Sequence, residues 1–206
     1  MNYRAWGLVC LLAWPGWAIA QCSLLVVGDS LSSGYGLVAG TSWVDRLNTR
    51  LQRQASDWRA VNASVSGDTT QNGLLRLKPA LERQRPQGVV IQLGGNDGLR
   101  GTPPGVVRDN LRRMIRQSQS AGAWVLLLDA PVLPNYGRAY GEALARVYVD
   151  LAREENVARV PCFVCGVALK PGMMQADGIH PNERAQAAML DAVWPTLKPK
   201  LRCPAP

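Results

Sequence analysis

The only histidine of this 206-residue chain, His180, stands in the run Asp177-Gly178-Ile179-His180-Pro181. A serine hydroxyl is a weak nucleophile until a base takes its proton, so any Ser–His mechanism here has to use this imidazole. Asp177, three positions earlier, is close enough within one turn to hold the other ring nitrogen and to stabilise the imidazolium that forms. Ser30 meets the complementary requirement, because it follows the apolar run Ser23–Gly28 and so sits at the end of an expected strand, where a base can reach it. Asp29 beside it is read as a turn or cap residue, since consecutive side chains point apart, and Ser32 and Ser33 as caps of the following segment. Acyl transfer also needs donors aimed at the developing oxyanion. Gly67, in Ser66-Gly67-Asp68, offers an unobstructed backbone N–H, and Asn96, in Gly94-Gly95-Asn96-Asp97, offers a side-chain amide.

Those residues must be carried by elements that bring them together. Short apolar runs alternate with longer amphipathic ones, the pattern of a parallel sheet covered by helices. Strands are expected at 23–28, 58–63, 88–93, 123–129 and 157–160, with helices at 43–54, 70–84, 103–121 and 139–155. Trp43, Val44, Leu47 and Leu51 lie on one face of the first helix, and Val106, Val107, Leu111, Met114 and Ile115 share helical spacing in the third. Pro79 should interrupt the second helix, Pro181 should open a last one, and Pro195 should end or kink it. A loop with Pro131, Pro134 and Asn135 precedes the fourth helix. The expectation is one doubly wound α/β domain, in which sites lie beyond the carboxyl ends of the strands. That rim would hold Gly28–Ser30, Ser66–Asp68 and Gly94–Asp97 together.

Composition is ordinary for a globular chain, with 47% hydrophobic and 18% charged residues. Residues 1–20 read as a secretory signal: Arg4, an apolar run from Ala5 to Trp14, a Pro15-Gly16 break and Ala18-Ile19-Ala20 before the cut. A single domain is then expected over 21–206, in the periplasm or outside the cell. Losing the leader removes Arg4 and no acid, which lowers the formal charge from +8 to +7. The Lys and Arg residues are scattered, so a solvated basic surface with transient membrane-surface contact is favoured over nucleic-acid binding. Cys22, Cys162, Cys165 and Cys203 remain in an oxidising compartment. The favoured pairing is Cys162 with Cys165 and Cys22 with Cys203, although spacing alone leaves all three pairings of four cysteines open.

Other chemistries fit less well. Gly34-Tyr35-Gly36-Leu37-Val38-Ala39 has the G-x-G-x-x-A form of a dinucleotide fingerprint, but its first glycine comes six residues after the strand end instead of at the strand-to-helix turn. Cys162-Phe163-Val164-Cys165 has redox spacing but no strong helix behind it, so a structural disulfide is the better reading. No Gly-x-Ser-x-Gly elbow follows the leader. One histidine without clustered carboxylates offers little to a metal, and no cofactor is expected.

The blocks Gly28-Asp29-Ser30-Leu31-Ser32, Gly67 within Asn62–Thr69, Gly94-Gly95-Asn96-Asp97 and Asp177–Pro181 resemble, in order, those of the SGNH hydrolase (GDSL lipase/esterase) family. The likeness runs from about residue 23 to 198. It is strongest toward bacterial periplasmic thioesterase, lysophospholipase and arylesterase members, to which Gly94–Gly101, Leu133–Gly137 and Leu169-Lys170-Pro171 are also similar. The resemblance implies a three-layer α/β/α, flavodoxin-like sandwich with a five-stranded parallel sheet. It implies Ser30 as nucleophile, His180 as base and Asp177 as its partner, with an oxyanion hole from the Ser30 N–H, the Gly67 N–H and the Asn96 side chain. It places a mobile acyl-covering loop at about 98–103, with Gly98, Leu99 and Arg100 as substrate contacts. The implied activity is cofactor-independent hydrolysis of acyl thioesters, lysophospholipids or aryl esters by a monomer. Deacetylation of polysaccharide or peptidoglycan on the same fold is the nearest alternative, and a non-catalytic lipid- or glycan-binding module is the more remote one.

Overall fold

The computed structural model describes residues 21–131 and 136–203, so the expected leader and Pro134 and Asn135 lie outside the described residues. Along the chain run β1 (Cys22–Gly28), α1 (Ser30–Ser33), α2 (Trp43–Gln54), β2 (Trp58–Asn62), α3 (Thr70–Gln84) and β3 (Gly88–Gln92). They are followed by α4 (Gly95–Leu99), α5 (Pro104–Ser120), β4 (Trp124–Leu128), α6 (Gly137–Glu154), β5 (Ala158–Val160), α7 (Cys165–Ala168) and α8 (Gln186–Leu197). The five strands form one sheet in the order β2-β1-β3-β4-β5, with every neighbouring pair parallel.

Alternation along the strands divides the core into two layers. Leu24 and Val26 of β1 join Val90, Leu126 and Leu128 beneath α2 and α8. Leu25 and Val27 point the other way, joining Val89, Ile91 and Leu127 beneath α3, α5 and α6. The expected apolar face of α2 is buried throughout, and its hydrophobic periodicity is therefore the reason the helix lies on the sheet. Ser42 caps it: the hydroxyl accepts from the Asp45 N–H at 3.2 Å while the Asp45 carboxylate accepts from the Ser42 N–H at 3.0 Å. The capping role expected of Ser32 and Ser33 is thus filled elsewhere. Ser33 ends α1, and Ser32 is buried in a polar tie under the site.

Two proline expectations need correction. Helix α3 continues through Pro79 without interruption. Pro79 lies on the exposed side, where solvent can meet the carbonyl that its missing N–H leaves unbonded, so the break is not enforced. Pro181 does not open the last helix, which starts at Gln186. Instead it pairs with Met174 in an isolated antiparallel bridge, with the Gln175 N–H donating to the His180 carbonyl at 2.7 Å and the Asn182 N–H to the Met173 carbonyl at 2.8 Å. This bridge fixes the segment that carries His180. Pro195 lies in the last turn of α8, which passes at Lys198 into a short 3-10 turn.

Disulfides join Cys22 to Cys203 and Cys162 to Cys165. The first spans 181 positions. On a chain-entropy view, closing so long a loop in the unfolded state contributes about 5 kcal/mol, against about 2 kcal/mol for the short one. Cys165 also opens α7, a single turn.

Candidate active site

In this strand order the connections from β1 and β3 leave in opposite directions, so their carboxyl ends border an open crevice. Ser30 follows β1 and Asn96 follows β3, which puts both at that crevice. Ser30 is the first residue of α1, and Asp29 is its N-cap, with Oδ1 accepting from the Leu31 N–H at 3.0 Å. The short helix therefore aims the serine out of the sheet edge.

The His180 ring reaches Ser30 across 150 residues of sequence, with Nε2 at 2.9 Å from Oγ. Its Nδ1 lies 2.6 Å from Oδ2 of Asp177. Asp177 also accepts the backbone N–H groups of His180 at 3.0 Å and Ile179 at 2.9 Å on Oδ1. The His180 backbone N–H, then the His180 side chain and the Ile179 N–H, pull the Asp177 carboxyl down to about 2. An ionised Asp177 at neutral pH obliges Nδ1 to carry the imidazole proton. Nε2 is then the free acceptor, and the Ser30 hydroxyl donates to it, the polarity that a general base requires.

The other two segments close on the same point. The Ala63 and Val65 N–H groups donate to the Val26 and Gly28 carbonyls at 2.8 and 3.0 Å, which runs the chain toward Gly67 alongside the end of β1. Gly67 has φ +82°, a left-handed backbone that a side chain would strain. Asn96 Nδ2 donates to the Asp68 carbonyl at 2.9 Å. A primary amide has two N–H bonds, and spending one on Asp68 orients the other. Gly94 is required by packing, because a Cβ there would lie 1.9 Å from the Tyr148 hydroxyl, which donates to the Leu93 carbonyl at 2.8 Å.

The structure distributes the expected substrate contacts unevenly. Arg100 is exposed and its guanidinium approaches the Gly67 carbonyl at 3.4 Å. Leu99 is half-buried, whereas Gly98 is buried with Leu144 of α6 close by. The 98–103 loop is tied back: Tyr140 Oη donates to the Thr102 carbonyl at 2.8 Å, and the Thr102 N–H donates to the Asp97 carbonyl at 3.0 Å.

Three supports were not singled out from the sequence. Gln92, a polar residue at the end of the apolar run of β3, is fully buried under the turn that carries Ser30. It accepts from Ser32 Oγ at 2.6 Å and donates to Asp29 Oδ1 at 3.1 Å, while Trp43 Nε1 donates to Ser32 Oγ at 3.2 Å. Its polarity inside that run was the available signal. Asp97, also buried, accepts from Thr70 N and Oγ1 at 2.8 and 2.7 Å and so joins the Asn96 segment to the start of α3. Gln175 Nε2 donates to the Tyr35 carbonyl at 2.9 Å, linking the chain after Ser30 to the bridge that carries His180.

Burial pushes the Asp29 carboxyl up to about 6, outweighing its hydrogen bonds from Leu31 and Gln92. A carboxyl that holds its proton more tightly folded than unfolded costs stability above its folded pKa and nothing below its unfolded one. Asp29→Asn keeps an Oδ1 acceptor for Leu31 and Gln92 but has no charge to bury. The variant should exceed the parent in stability at pH 7.5 by up to about 3 kcal/mol, with the gap closing as pH falls through 6 toward 4. Urea unfolding of both proteins across that range is the check, and a gap that does not vary with pH would refute the assignment.

Residues 26–188 match the model of the GDSL-like lipase/acylhydrolase family. The chain is 50% identical over 195 residues to the protein named Esterase TesA of Pseudomonas aeruginosa, covering 95% of this chain and 96% of that one. It is 44% identical over 182 residues to the Escherichia coli protein named thioesterase 1/protease 1/lysophospholipase L1, covering 88% and 86%. A solved structure described as the crystal structure of TesA superposes with a TM-score of 0.83 at 51% identity, covering 86% of this chain and 99% of that one.

Proposed function

This chain belongs to the GDSL-like lipase/acylhydrolase family and is a carboxylic ester hydrolase, and on that footing we propose that it cleaves acyl thioesters, lysophospholipids or aryl esters through an acyl-enzyme on Ser30. The observation that carries this reading is the continuous relay from Ser30 Oγ through His180 to Asp177, at 2.9 and 2.6 Å. Oγ attacks the carbonyl carbon as its proton passes to Nε2. The carbonyl oxygen becomes an oxyanion held by the N–H groups of Ser30 and Gly67 and the free N–H of Asn96. The imidazolium then protonates the departing alcohol or thiol, leaving the acyl group on Ser30. Water, deprotonated by the same imidazole, releases the acid and restores the serine. No cofactor enters this sequence of steps.

Asn96→Ala removes one of three donors. Turnover should fall on the order of a hundredfold with KM little changed, because the oxyanion exists only after the ground state has been left. Steady-state kinetics on a p-nitrophenyl ester give both constants, and an equal rise in KM at unchanged kcat would move Asn96 to ground-state binding.

We also place the enzyme outside the cytoplasm, as a monomer without nucleic-acid partners. The apolar run at 5–14 with Ala18-Ile19-Ala20 supports export, and the two disulfides suit an oxidising compartment. An organophosphonate should label Ser30 stoichiometrically, and intact protein that never labels would remove the acyl-enzyme. A panel of acyl-CoA, lysophospholipid, aryl ester and acetylated polysaccharide substrates then ranks the classes. Preference for the last would replace the lipid assignment with deacetylation.

A further inference from the structure

Nine large apolar side chains are exposed among the described residues; Leu75, Val106 and Val149 lie on α3, α5 and α6, and the other six lie on connections at one edge of the sheet. Tyr35 and Val38 lie on the connection leaving the carboxyl end of β1, Val65 on that leaving β2, Tyr136 on that leaving β4, and Leu169 and Ile179 on that leaving β5. Leu169 is 93% exposed and Val38 67%. The connections at the opposite edge of the sheet, 55–57, 85–87, 121–123 and 155–157, carry none of the nine.

These side chains ring the Ser30 crevice. The Tyr35 ring lies 4.7 Å from the His180 ring, centroid to centroid. The Val38 N–H donates to Glu183 Oε1 at 3.3 Å, the Val65 N–H to the Gly28 carbonyl at 3.0 Å, and Tyr136 Oη to the Leu99 carbonyl at 3.4 Å. Leu169 projects from the segment that Asn182 Nδ2 holds through the Gly172 carbonyl at 2.9 Å. Arg100, Lys170 and Arg184 stand exposed on the same edge, none within ion-pair distance of a carboxylate among the described residues.

Single exposed apolar residues scattered over a protein are ordinary, but concentration on one edge marks a contact surface. A protein partner would want a contiguous apolar centre that packs. Here the apolar groups come from four separate connections around a polar crevice, with cations on the same edge that form no ion pair among the described residues. That arrangement suits a fluid apolar phase under an anionic headgroup layer, where each side chain enters separately and the cations stay at headgroup level. We propose that the catalytic edge docks reversibly on anionic lipid–water interfaces, and that acyl substrate enters the Ser30 site from there. This rests on the ester-hydrolase reading and names where its substrate is taken. The charge of +7 left after loss of the leader supplies attraction from any side, and the apolar ring selects the face that lands.

The test uses the purified exported form, without residues 1–20, and vesicles of phosphatidylcholine alone and of phosphatidylcholine mixed with phosphatidylglycerol. Co-sedimentation should be clear on the mixed vesicles, weaker on the neutral ones and weakened by salt. The double variant Val38→Asp/Leu169→Asp should bind the mixed vesicles at least tenfold less and lose lysophospholipid turnover in them in parallel. Its p-nitrophenyl acetate turnover in solution should equal the parent's. If that double variant fails to fold, Lys170→Glu/Arg184→Glu should show the same loss on the mixed vesicles alone. Parent that stays in the supernatant, or variants that sediment like the parent, would overturn the proposal. So would a parent dimer, seen by sedimentation velocity, that the double variant dissolves, since the ring would then be covered by a second copy. A parent inactive on p-nitrophenyl acetate would instead overturn the hydrolase reading, so the two failures are separable.

Discussion

Ser30→Ala and His180→Ala are each expected to reduce kcat on a p-nitrophenyl ester by on the order of 10⁵ to 10⁶-fold while leaving the unfolding transition near that of the parent. The size follows from the roles proposed for Ser30 and His180. Without Oγ no acyl-enzyme can form, and without the imidazole the hydroxyl keeps its proton at neutral pH. Each loss is about 7 to 8 kcal/mol of barrier, far beyond what one surface hydrogen bond supplies. The geometry also predicts that the losses do not add. Ser30 and His180 act through one 2.9 Å contact, so the double variant should be little worse than either single one. What activity survives would come from binding and the oxyanion donors. Undiminished turnover in either single variant, with one-to-one folded protein confirmed by circular dichroism, would transfer the chemistry to another residue.

Asp177→Asn should lower kcat on the order of 10⁴-fold, by a different route. Asp177 Oδ2 faces Nδ1 of His180 at 2.6 Å. An asparagine can keep its Oδ1 on the Ile179 and His180 N–H groups, as the carboxylate does at 2.9 and 3.0 Å, and so preserve the turn. The atom then facing Nδ1 is an amide N–H₂, which demands an acceptor there and forces the ring proton onto Nε2. The base is thereby filled before it meets the serine. Asp177→Ala removes the turn contacts as well, so it should lose stability along with activity, whereas Asp177→Asn should lose activity alone. The wild-type carboxyl, held down to about 2 chiefly by the His180 backbone N–H, stays ionised through the working range. The pH–rate profile should therefore show no inflection from Asp177 between pH 4 and 8. An Asp177→Asn enzyme that retains a tenth or more of parent kcat would refute the tautomer argument.

Much of this architecture was readable because it is written in short windows. The helix at 43–54 was legible from Trp43, Val44, Leu47 and Leu51, since a 3.6-residue period and a buried face are one statement. The strand at 88–93 was legible as an apolar run bounded by glycines, and it differs from β3 only in its last residue. Errors fell where tertiary context overrode a local preference. Pro79 did not stop α3 because its unbonded side faces solvent. Pro181 did not start α8 because the 173–175 segment offered backbone partners that the local sequence could not reveal. In the sequence Gln92 and Asp97 look like ordinary residues of their runs. Their burial, and the hydrogen bonds that burial demands, exist only once Asp29, Ser32 and Thr70 have been brought to them.

By itself the sequence determined which groups were available for chemistry: one histidine, an aspartate three residues before it, a serine at a strand end, and glycine and asparagine donors after later strands. It also determined the alternation that makes a parallel sheet with two helical faces. Tertiary structure alone decided the distances. Ser30 and His180 stand 2.9 Å apart because β1 lies inside the β2-β1-β3-β4-β5 order and because a bridge at Met174 and Pro181 holds the last loop over the end of β1. Side-chain periodicity and turn chemistry are properties of neighbouring residues, so a window of sequence contains them. Strand order and loop docking are set by which apolar faces bury best against one another across the whole chain, and no window contains that.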